Sequence, residues 1–255
     1  MADVILDAHV HVGPWLLPGL DGLTCTLGEA VEAALAESIE GMAVTRSDGG
    51  SNEELRRQVE DEGRLDLWYL PWARPGTDDG DRALGSEGPS VAALKIHPSV
   101  DRTPIDDPGY DRAFAAAAEA DVPVVVHTGR WQEVAGFDMA LTRAAKLPEL
   151  RLILAHAGGN DFGLRQRCAA RIEELGLGNV WLDLTGLGMP LLTRRLVERL
   201  GAERFLFGSD FPLGHPRVQI AHVTAMDLGE DRTAAVLGGN ARSLLGPPSN
   251  ARGAR

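Results

Sequence analysis

Hydrophobic and polar positions form a repeating pattern in which each short apolar run is followed by a longer stretch with helical spacing. The apolar runs are rich in Val, Ile, Leu and Trp, which is typical of strands. Most are continuous rather than alternating, as expected for parallel strands covered on both faces. The eight predicted strands are Val4–Ala8, Met42–Thr45, Leu65–Leu70, Val91–Ile96, Val122–Val126, Leu152–Ala155, Val180–Leu184 and Phe205–Phe207.

The stretches between these runs are rich in Ala, Leu, Arg and Glu, and their spacing predicts helices. Because strands and helices alternate along the whole chain, the sequence indicates an α/β protein with a parallel sheet. The predicted helices are Leu27–Glu40, Asn52–Glu62, Asp79–Leu84, Tyr110–Ala120, Phe137–Lys146, Gly163–Leu175, Pro190–Leu200 and Arg217–Met226, followed by helical turns at Arg232–Leu237 and Asn240–Leu245.

Chain length and the end of the first strand decide between two α/β architectures. The 255 residues match the roughly 250 of a (β/α)8 TIM barrel. An open doubly wound sheet usually has a Gly-rich turn after its first strand, whereas this strand runs into Asp7-Ala8-His9-Val10-His11. We therefore expect a single (β/α)8 TIM barrel over residues 1–245. The polar tail, residues 246–255, lacks apolar side chains and is expected to be mobile.

Composition narrows the choice of partners. A formal net charge of −12 without a Lys/Arg cluster argues against nucleic acid and favours a small-molecule substrate. The first residues have no basic segment followed by an apolar one, so we expect a cytoplasmic protein without a membrane partner. Cys25 and Cys168 have no CxxC spacing, which indicates ordinary thiols rather than a cysteine zinc site.

Five of the seven histidines fall at the ends of predicted strands. His9 and His11 are two residues apart, so on a strand they point the same way, and neutral imidazoles at this spacing suit Zn²⁺. His97, His127 and His156 each follow an apolar run directly. Scattered structural histidines have no reason to favour these positions, whereas a barrel active site is assembled at the C-terminal ends of its strands.

Asp210 completes this set, because it follows Phe205-Leu206-Phe207-Gly208-Ser209 after the eighth strand. A carboxylate at that position is able to bind a metal ion and to accept a proton. An N-cap for the next helix is the alternative explanation.

The ordered set of motifs resembles the amidohydrolase superfamily, specifically the amidohydrolase-2 branch of aminocarboxymuconate-semialdehyde decarboxylases, resorcylate decarboxylases and lactone hydrolases. The resemblance covers nearly the whole chain. Its motifs are His9-x-His11, His127 after strand five, His156 with Gly158-Gly159, Gly208-Ser209-Asp210-Phe211-Pro212, and Gly239-Asn240-Ala241-Arg242.

This resemblance implies one divalent metal ion, Zn²⁺ in our interpretation, bound by His9, His11, His127 and Asp210. It also implies that Asp210 and His156 are catalytic, with His156 acting on the substrate or on water. In binuclear members of the superfamily a carboxylated lysine after strand four bridges two metals. Lys95 lies on the fourth strand and is able to fill that role or to bind substrate, while His97 is expected to contact the substrate.

Cationic and aromatic residues follow several predicted strands. Arg46, Arg74 and Arg130 lie in loops at the predicted barrel mouth of an acidic protein, and a guanidinium binds a carboxylate bidentately, so an anionic substrate is expected. Trp131, in the same set of loops, is expected to contact the substrate. Each of these side chains alone is equally consistent with a solvated or packed loop residue.

The sequence therefore predicts a metal-dependent hydrolase that uses a metal-bound water on a small, anionic ester, lactone or amide. The alternative within the same fold is a non-oxidative, zinc-dependent decarboxylase of an unsaturated or aromatic acid. A catalytically silent metal-binding subunit is a further alternative, which the retention of every ligand type disfavours. The short loops leave room for a second copy to complete the pocket, so a homo-oligomer is also compatible with the sequence.

Overall fold

The computed structural model describes residues 4–85 and 90–251. Its strands are β1 Leu6–Pro14, β2 Thr24–Cys25, β3 Gly41–Arg46, β4 Asp66–Tyr69, β5 Leu94–Ile96, β6 Val124–Val126, β7 Leu152–Leu154, β8 Val180–Asp183 and β9 Phe205–Leu206. Its α-helices are α1 Leu27–Ala36, α2 Asn52–Asp61, α3 Asp79–Leu84, α4 Pro98–Asp101, α5 Asp111–Glu119, α6 Gln132–Ala135, α7 Phe137–Lys146, α8 Phe162–Glu174, α9 Pro190–Leu200, α10 Pro216–Thr224, α11 Glu230–Ala234 and α12 Asn240–Leu245.

Eight parallel strands form the wall of a barrel. Parallel pairing runs β1-β3-β4 and β5-β6-β7-β8-β9, and β2 adds an antiparallel edge to β1. Backbone hydrogen bonds join the two sheets at both of their junctions. Between β4 and β5, Ala92 N donates to Tyr69 O (3.0 Å), and between β9 and β1, Ala8 N donates to Phe207 O (2.9 Å). The predicted single (β/α)8 barrel is confirmed.

An irregularity in β1 decides which way the first two histidines point. The register of β1 against β3 shifts between Asp7 and Val10. Below the shift, Leu6 and Ala8 pack in the cluster inside the barrel, whereas above it Val10 belongs to the outer core. Since side chains alternate along a strand, the shift returns His9 to the inner face, and His11 follows two residues later.

The barrel interior changes from apolar to polar along its axis. Inward residues near the N-terminal ends of the strands form one cluster, which α12 closes with Ala241, Leu244 and Leu245. Further along the same inward rows lie buried polar side chains, among them Lys95 and Asp183. The apolar layer fills the N-terminal part of the barrel. The buried polar side chains therefore lie at the C-terminal end, where barrel active sites lie.

The predicted strands and main helices are all present, although several of their bounds differ from the predicted ones. Strand β1 continues to Pro14 instead of ending at Ala8, because it pairs with β3 and with the short β2. The short helices α4 and α6 were not predicted, since each is a single turn in the loop that follows a barrel strand.

Residues 246–250 hydrogen-bond to β4 and the turn before it, although the sequence suggests a mobile tail from Gly246 onward. The indole of Trp68 donates to Gly246 O (2.9 Å), and Leu67 N donates to Asn250 Oδ1 (2.8 Å). The first part of the tail therefore has polar contacts that an apolar pattern does not reveal. Residues 252–255 lie outside the described part, and the expected mobility of the tail stays a prediction there.

No helix within residues 4–85 and 90–251 has both the length and the apolar character needed to cross a membrane.

Candidate metal centre

Three of the four predicted metal ligands come together at the C-terminal end of the barrel. Donor atoms of His9, His11 and Asp210 all lie within 4.8 Å of one another, and the three residues are buried. The two Nε2 atoms are 3.1 Å apart, and Asp210 Oδ1 lies 3.5 Å from His11 Nε2 and 3.8 Å from His9 Nε2. Two imidazoles and a carboxylate at these separations form a metal-binding site.

The backbone at Asp210 holds its carboxylate toward β1. Asp210 has a left-handed φ of 58°, which is uncommon outside glycine, and its N–H donates to His9 O (2.9 Å). Its own carbonyl accepts from Gly214 N (2.9 Å), which closes the turn. This geometry brings the carboxylate to the two histidines rather than to the N-terminus of α10, so the N-cap alternative is wrong: His215 caps that helix.

Burial keeps His11 and His127 in their neutral form. It lowers the pKa of His11 well below its usual range, and the neighbouring His9 and Lys95 add to the effect. It does the same for the pKa of His127, where His97 and His156 contribute. A neutral imidazole offers a lone pair, which metal coordination requires.

His127 lies beside the three-residue site but is not within the 4.8 Å group among the described residues. Its ring stacks on His97, with centroids 4.0 Å apart, and its Nδ1 lies 3.2 Å from His156 Nε2. Its Nε2 is buried without a hydrogen-bond partner. The prediction that His127 is the fourth metal ligand therefore stays a prediction.

His156 follows β7 and has a left-handed φ of 59°. Its ring centroid is 5.8 Å from that of His9, so it borders the metal-binding site. Its Nδ1 contacts the Thr185 hydroxyl (3.0 Å) and carbonyl (3.2 Å) oxygens. Burial lowers the pKa of His156, while Asp210 and Asp183 oppose that effect.

His97 and Lys95 extend the site from β5. His97 caps α4, where its Nδ1 accepts from Val100 N (3.4 Å), and it stacks between Trp72 and His127. Lys95 is fully buried with its Nζ 3.0 Å from His9 Nε2. Burial lowers the pKa of Lys95 to about 8, although Asp183 and Asp210 oppose the shift.

Asp183, the last residue of β8, is a member of the site that the sequence analysis missed. Its Oδ2 lies 2.7 Å from His9 Nδ1, and its Oδ1 accepts from His156 N (2.8 Å). Burial disfavours its ionisation, but the hydrogen bonds from His9 and Thr185 oppose that effect, and its pKa lies below the usual range. Asp183 lies inside the predicted strand Val180–Leu184, so the strand-end signal that marks His127 does not identify it. A single carboxylate within an apolar run is the signal that would have done so.

Arg46 donates hydrogen bonds within the loop that follows β3. It is buried, and its guanidinium donates to Ser47 O (3.1 Å), to Gly50 O (3.3 Å) and to Asn52 Oδ1 (3.2 Å). It also stacks over the Trp72 ring at 4.4 Å. These contacts give Arg46 a role in shaping the β3–α2 loop, and its binding of substrate stays a prediction.

The other predicted substrate contacts, Arg74, Arg130 and Trp131, remain accessible. Arg74 and Arg130 are exposed, and the Arg130 guanidinium lies 5.1 Å from the Trp131 ring centroid. Trp131 also lines a crevice of about 310 Å³ with Ser99, Arg102, Glu133 and Val134. Their binding of substrate stays a prediction.

The chain belongs to the amidohydrolase family, since the family model described as Amidohydrolase matches residues 27–246. The match confirms the resemblance found in the sequence and the prediction of an enzyme. The match begins after β1, so the placement of His9 and His11 in the site rests on the structure rather than on the family model. A search of curated proteins gives no match.

Solved structures confirm the fold at low sequence identity. An amidohydrolase from Burkholderia multivorans with bound Zn is 18% identical, with a TM-score of 0.76 over 96% of this chain and 100% of that one. A 5-carboxyvanillate decarboxylase from Sphingomonas paucimobilis is 14% identical, with a TM-score of 0.74 over 96% and 99%. A candidate 2-pyrone-4,6-dicarboxylic acid hydrolase from Pseudomonas putida is 18% identical, with a TM-score of 0.73 over 96% and 98%.

Proposed function

We propose that this enzyme is a zinc-dependent hydrolase that cleaves a small, anionic ester, lactone or amide. The observation that carries the proposal is the convergence of His9, His11 and Asp210 next to His156 at the C-terminal mouth of the barrel. A site that joins metal ligands to a neighbouring acid–base group suits hydrolysis.

The residues present fit one divalent metal ion. His9, His11 and Asp210 supply two nitrogen ligands and one oxygen ligand, and His127 is the proposed fourth ligand. The unpartnered, buried Nε2 of His127 shows that this ring is not committed to a hydrogen bond on both nitrogens. A bound Zn²⁺ would polarise a carbonyl group and make water more acidic. The Burkholderia neighbour contains zinc, which supports this choice of metal.

Asp210 and His156 are proposed to handle the protons. The Asp210 carboxylate keeps a 13% exposed side chain, so it remains open to a substrate or water on the mouth side. It would accept the proton of the attacking water. His156, protonated on Nε2 with the help of the Asp210 and Asp183 carboxylates that oppose the effect of burial on its pKa, would then polarise the carbonyl or deliver that proton to the leaving group.

The substrate is proposed to carry a carboxylate away from the reacting carbonyl. Exposed Arg74 and Arg130 stand beyond the strand ends, where they would contact a remote group, and Trp131 would cover an apolar part. Arg46, which also donates to loop carbonyls, is proposed as a further contact. The names of two structural neighbours describe acids as substrates, which supports an anionic ligand.

Metal analysis tests the site itself. The purified protein should contain about one divalent metal per chain, and the His9→Ala, His11→Ala double variant should contain none. A ratio near two would contradict a mononuclear site and favour a bridging Lys95 carbamate.

A His156→Asn variant tests the proposed proton transfer. It should keep its fold and its metal but lose about 10²-fold or more in rate, the scale of general acid–base catalysis. Loss of the metal instead would make His156 a ligand and refute the role given to it.

Turnover of a panel of lactones, esters, amides and aromatic acids in ¹⁸O-labelled water tests the reaction type. Label in a product carboxylate supports hydrolysis. Release of carbon dioxide with solvent deuterium incorporated at carbon would replace the proposal with decarboxylation. Absence of turnover with metal bound would favour the silent subunit.

The arginine prediction is tested on the substrate that this panel identifies. Arg74→Gln or Arg130→Gln should mainly raise KM if the contact is equal in the ground and transition states. Equal turnover of a neutral analogue would contradict an anionic substrate.

A further inference from the structure

The two carboxylate oxygens of Asp183 contact different histidines, His9 and His156. Its Oδ2 accepts from His9 Nδ1 (2.7 Å), while its Oδ1 accepts from the backbone N–H groups of His156 (2.8 Å) and Thr185 (3.1 Å) and from the Thr185 hydroxyl. Asp183 and Thr185 are 1% and 0% exposed, so water does not compete for these contacts. One buried carboxylate therefore links β1, the loop after β7 and the loop after β8.

The contact with Oδ2 specifies the tautomer of His9. An ionised carboxylate only accepts hydrogen bonds, so when the His9 imidazole is neutral, as metal binding requires, its proton must be on Nδ1. The Nε2 atom then carries the lone pair, and it is the atom that lies 3.1 Å from His11 Nε2 and 3.8 Å from Asp210 Oδ1. Protonation of the other nitrogen would leave the metal-facing atom unable to coordinate.

The contacts with Oδ1 hold the loop that carries His156. This loop has left-handed φ angles at His156 (59°) and Ala157 (50°), a conformation that side-chain-bearing residues rarely adopt. The Thr185 hydroxyl donates to Asp183, which leaves its oxygen free to accept from His156 Nδ1 at 3.0 Å. His156 thus presents its Nε2 to the site, 3.2 Å from His127 Nδ1.

We propose that Asp183 is a positioning residue that selects the metal-binding tautomer of His9 through Oδ2 and fixes the His156 loop through Oδ1. The proposal rests on the proposed metal site, and it goes beyond that site because Asp183 is neither a metal ligand nor a substrate contact. Carboxylates that accept from a metal-bound histidine commonly fix its ring in this way.

The Asp183→Asn variant separates the two roles. Two backbone N–H groups face the Oδ1 position, and they cannot become acceptors, so the amide oxygen of Asn must stay there. The amide nitrogen then faces His9 Nδ1 and donates to it. His9 is thereby forced to carry its proton on Nε2, while the His156 loop keeps its acceptor.

Nitrogen NMR of protein labelled with ¹⁵N-histidine measures these tautomers directly. The His9 signals are assigned by their absence in a His9→Asn variant, and the protein is treated with a chelator. In the wild type we expect the proton of His9 on Nδ1. In Asp183→Asn we expect it on Nε2, with the His156 signals unchanged. Thr185→Ser, which keeps the hydroxyl, is the matched control and should leave His9 as in the wild type.

Zinc affinity, measured by competition with a chromophoric chelator, gives the second readout. Asp183→Asn should weaken zinc binding by about 10–100-fold, the usual effect of removing such a partner, and Thr185→Ser should not. A wild-type His9 protonated on Nε2, or a variant with unchanged tautomer and zinc affinity, would overturn the proposal. If Asp183→Asn does not fold, the wild-type tautomer decides. Because the tautomers are measured without metal or substrate, failure of the proposed hydrolase activity would be distinguished from failure of this inference.

Discussion

Replacement of Lys95 by Met should stabilise the metal-free protein at neutral pH. Lys95 is one of two lysines in the chain, and it is fully buried in the barrel beside His9. A buried ammonium group loses its hydration, and Met offers a neutral side chain of similar length. The lysine is therefore expected to reduce stability, as residues of active sites often do.

The size of the effect follows from the pKa of Lys95, which burial lowers from 10.5 to about 8. With about 1.36 kcal/mol for each pKa unit, the buried charge lowers the free energy of unfolding by about 3 kcal/mol at pH 7. Lys95→Met should recover about that amount, less any contact with Asp183 and Asp210 that is lost.

The pH dependence gives the sign of the effect independently. The folded-state pKa lies below that of the unfolded chain, so the unfolded chain binds more protons between pH 8 and pH 10.5. The loss in free energy of unfolding caused by Lys95 is therefore fully present below about pH 8, and it disappears as the pH rises through 10.5. The advantage of Lys95→Met should therefore shrink to below about 1 kcal/mol at pH 10.

Urea unfolding of chelator-treated protein at pH 7 and pH 10 measures this advantage. Lys146→Met is the matched control, because Lys146 is exposed and its replacement should change stability by less than about 0.5 kcal/mol. A Lys95→Met variant that is no more stable than the wild type at pH 7 would refute the reasoning. So would a gain of equal size at both pH values, which would point to packing rather than charge.

The same two variants test the Lys95 carbamate. Protein loaded with zinc and ¹³C-bicarbonate should show no carbamate signal at Lys95 if the site is mononuclear. A signal present in the wild type and in Lys146→Met but absent in Lys95→Met would establish a carboxylated Lys95 and contradict the single-metal site.

Three further predictions concern stability. Burial raises the pKa of Asp7 from 3.8 to about 6. Asp7→Asn should therefore stabilise the metal-free protein by about 3 kcal/mol above pH 6 and by almost nothing below pH 4. Urea unfolding curves that differ by a constant amount across a pH series would contradict this. Gly158→Ala should lower the free energy of unfolding by about 2–3 kcal/mol, measured by thermal unfolding. The reason is that Gly158 has a φ of +86° and that a Cβ there would lie 2.5 Å from Cys168 Sγ. A loss below about 0.5 kcal/mol would show that the loop relaxes. Asn250→Ala should lower the free energy of unfolding by about 1–3 kcal/mol. It should also speed hydrogen exchange at the Leu67 amide, which donates to Asn250 Oδ1. Unchanged exchange would contradict a role for the tail.

The strands and helices of this protein were predictable because periodicity reflects burial directly. Parallel strands covered on both faces are apolar throughout, and helices on the outside are apolar on one face, so both patterns can be recognised without tertiary information. The candidate ligands were predictable for a related reason. A barrel brings all its strand ends to one rim, so polar residues that follow apolar runs are expected to meet there.

Local sequence does not determine which way a side chain points when the strand is irregular. His9 and His11 share a direction because they are two residues apart, but that direction is inward only because the register shifts between Asp7 and Val10. The shift depends on pairing with β3, which is distant in sequence.

The partners of buried polar groups likewise emerge only in the folded chain. The guanidinium of Arg46 donates to the carbonyls of Ser47 and Gly50, contacts that its place after an apolar run does not reveal. Asp183 and His9 are 174 positions apart and meet because β8 and β1 lie on the same barrel wall. The sequence by itself determined the barrel and most of the residues at its mouth, since both follow from where apolar runs begin and end. The tertiary structure alone decided which of those residues touch, because long-range pairing sets distances that no local pattern encodes.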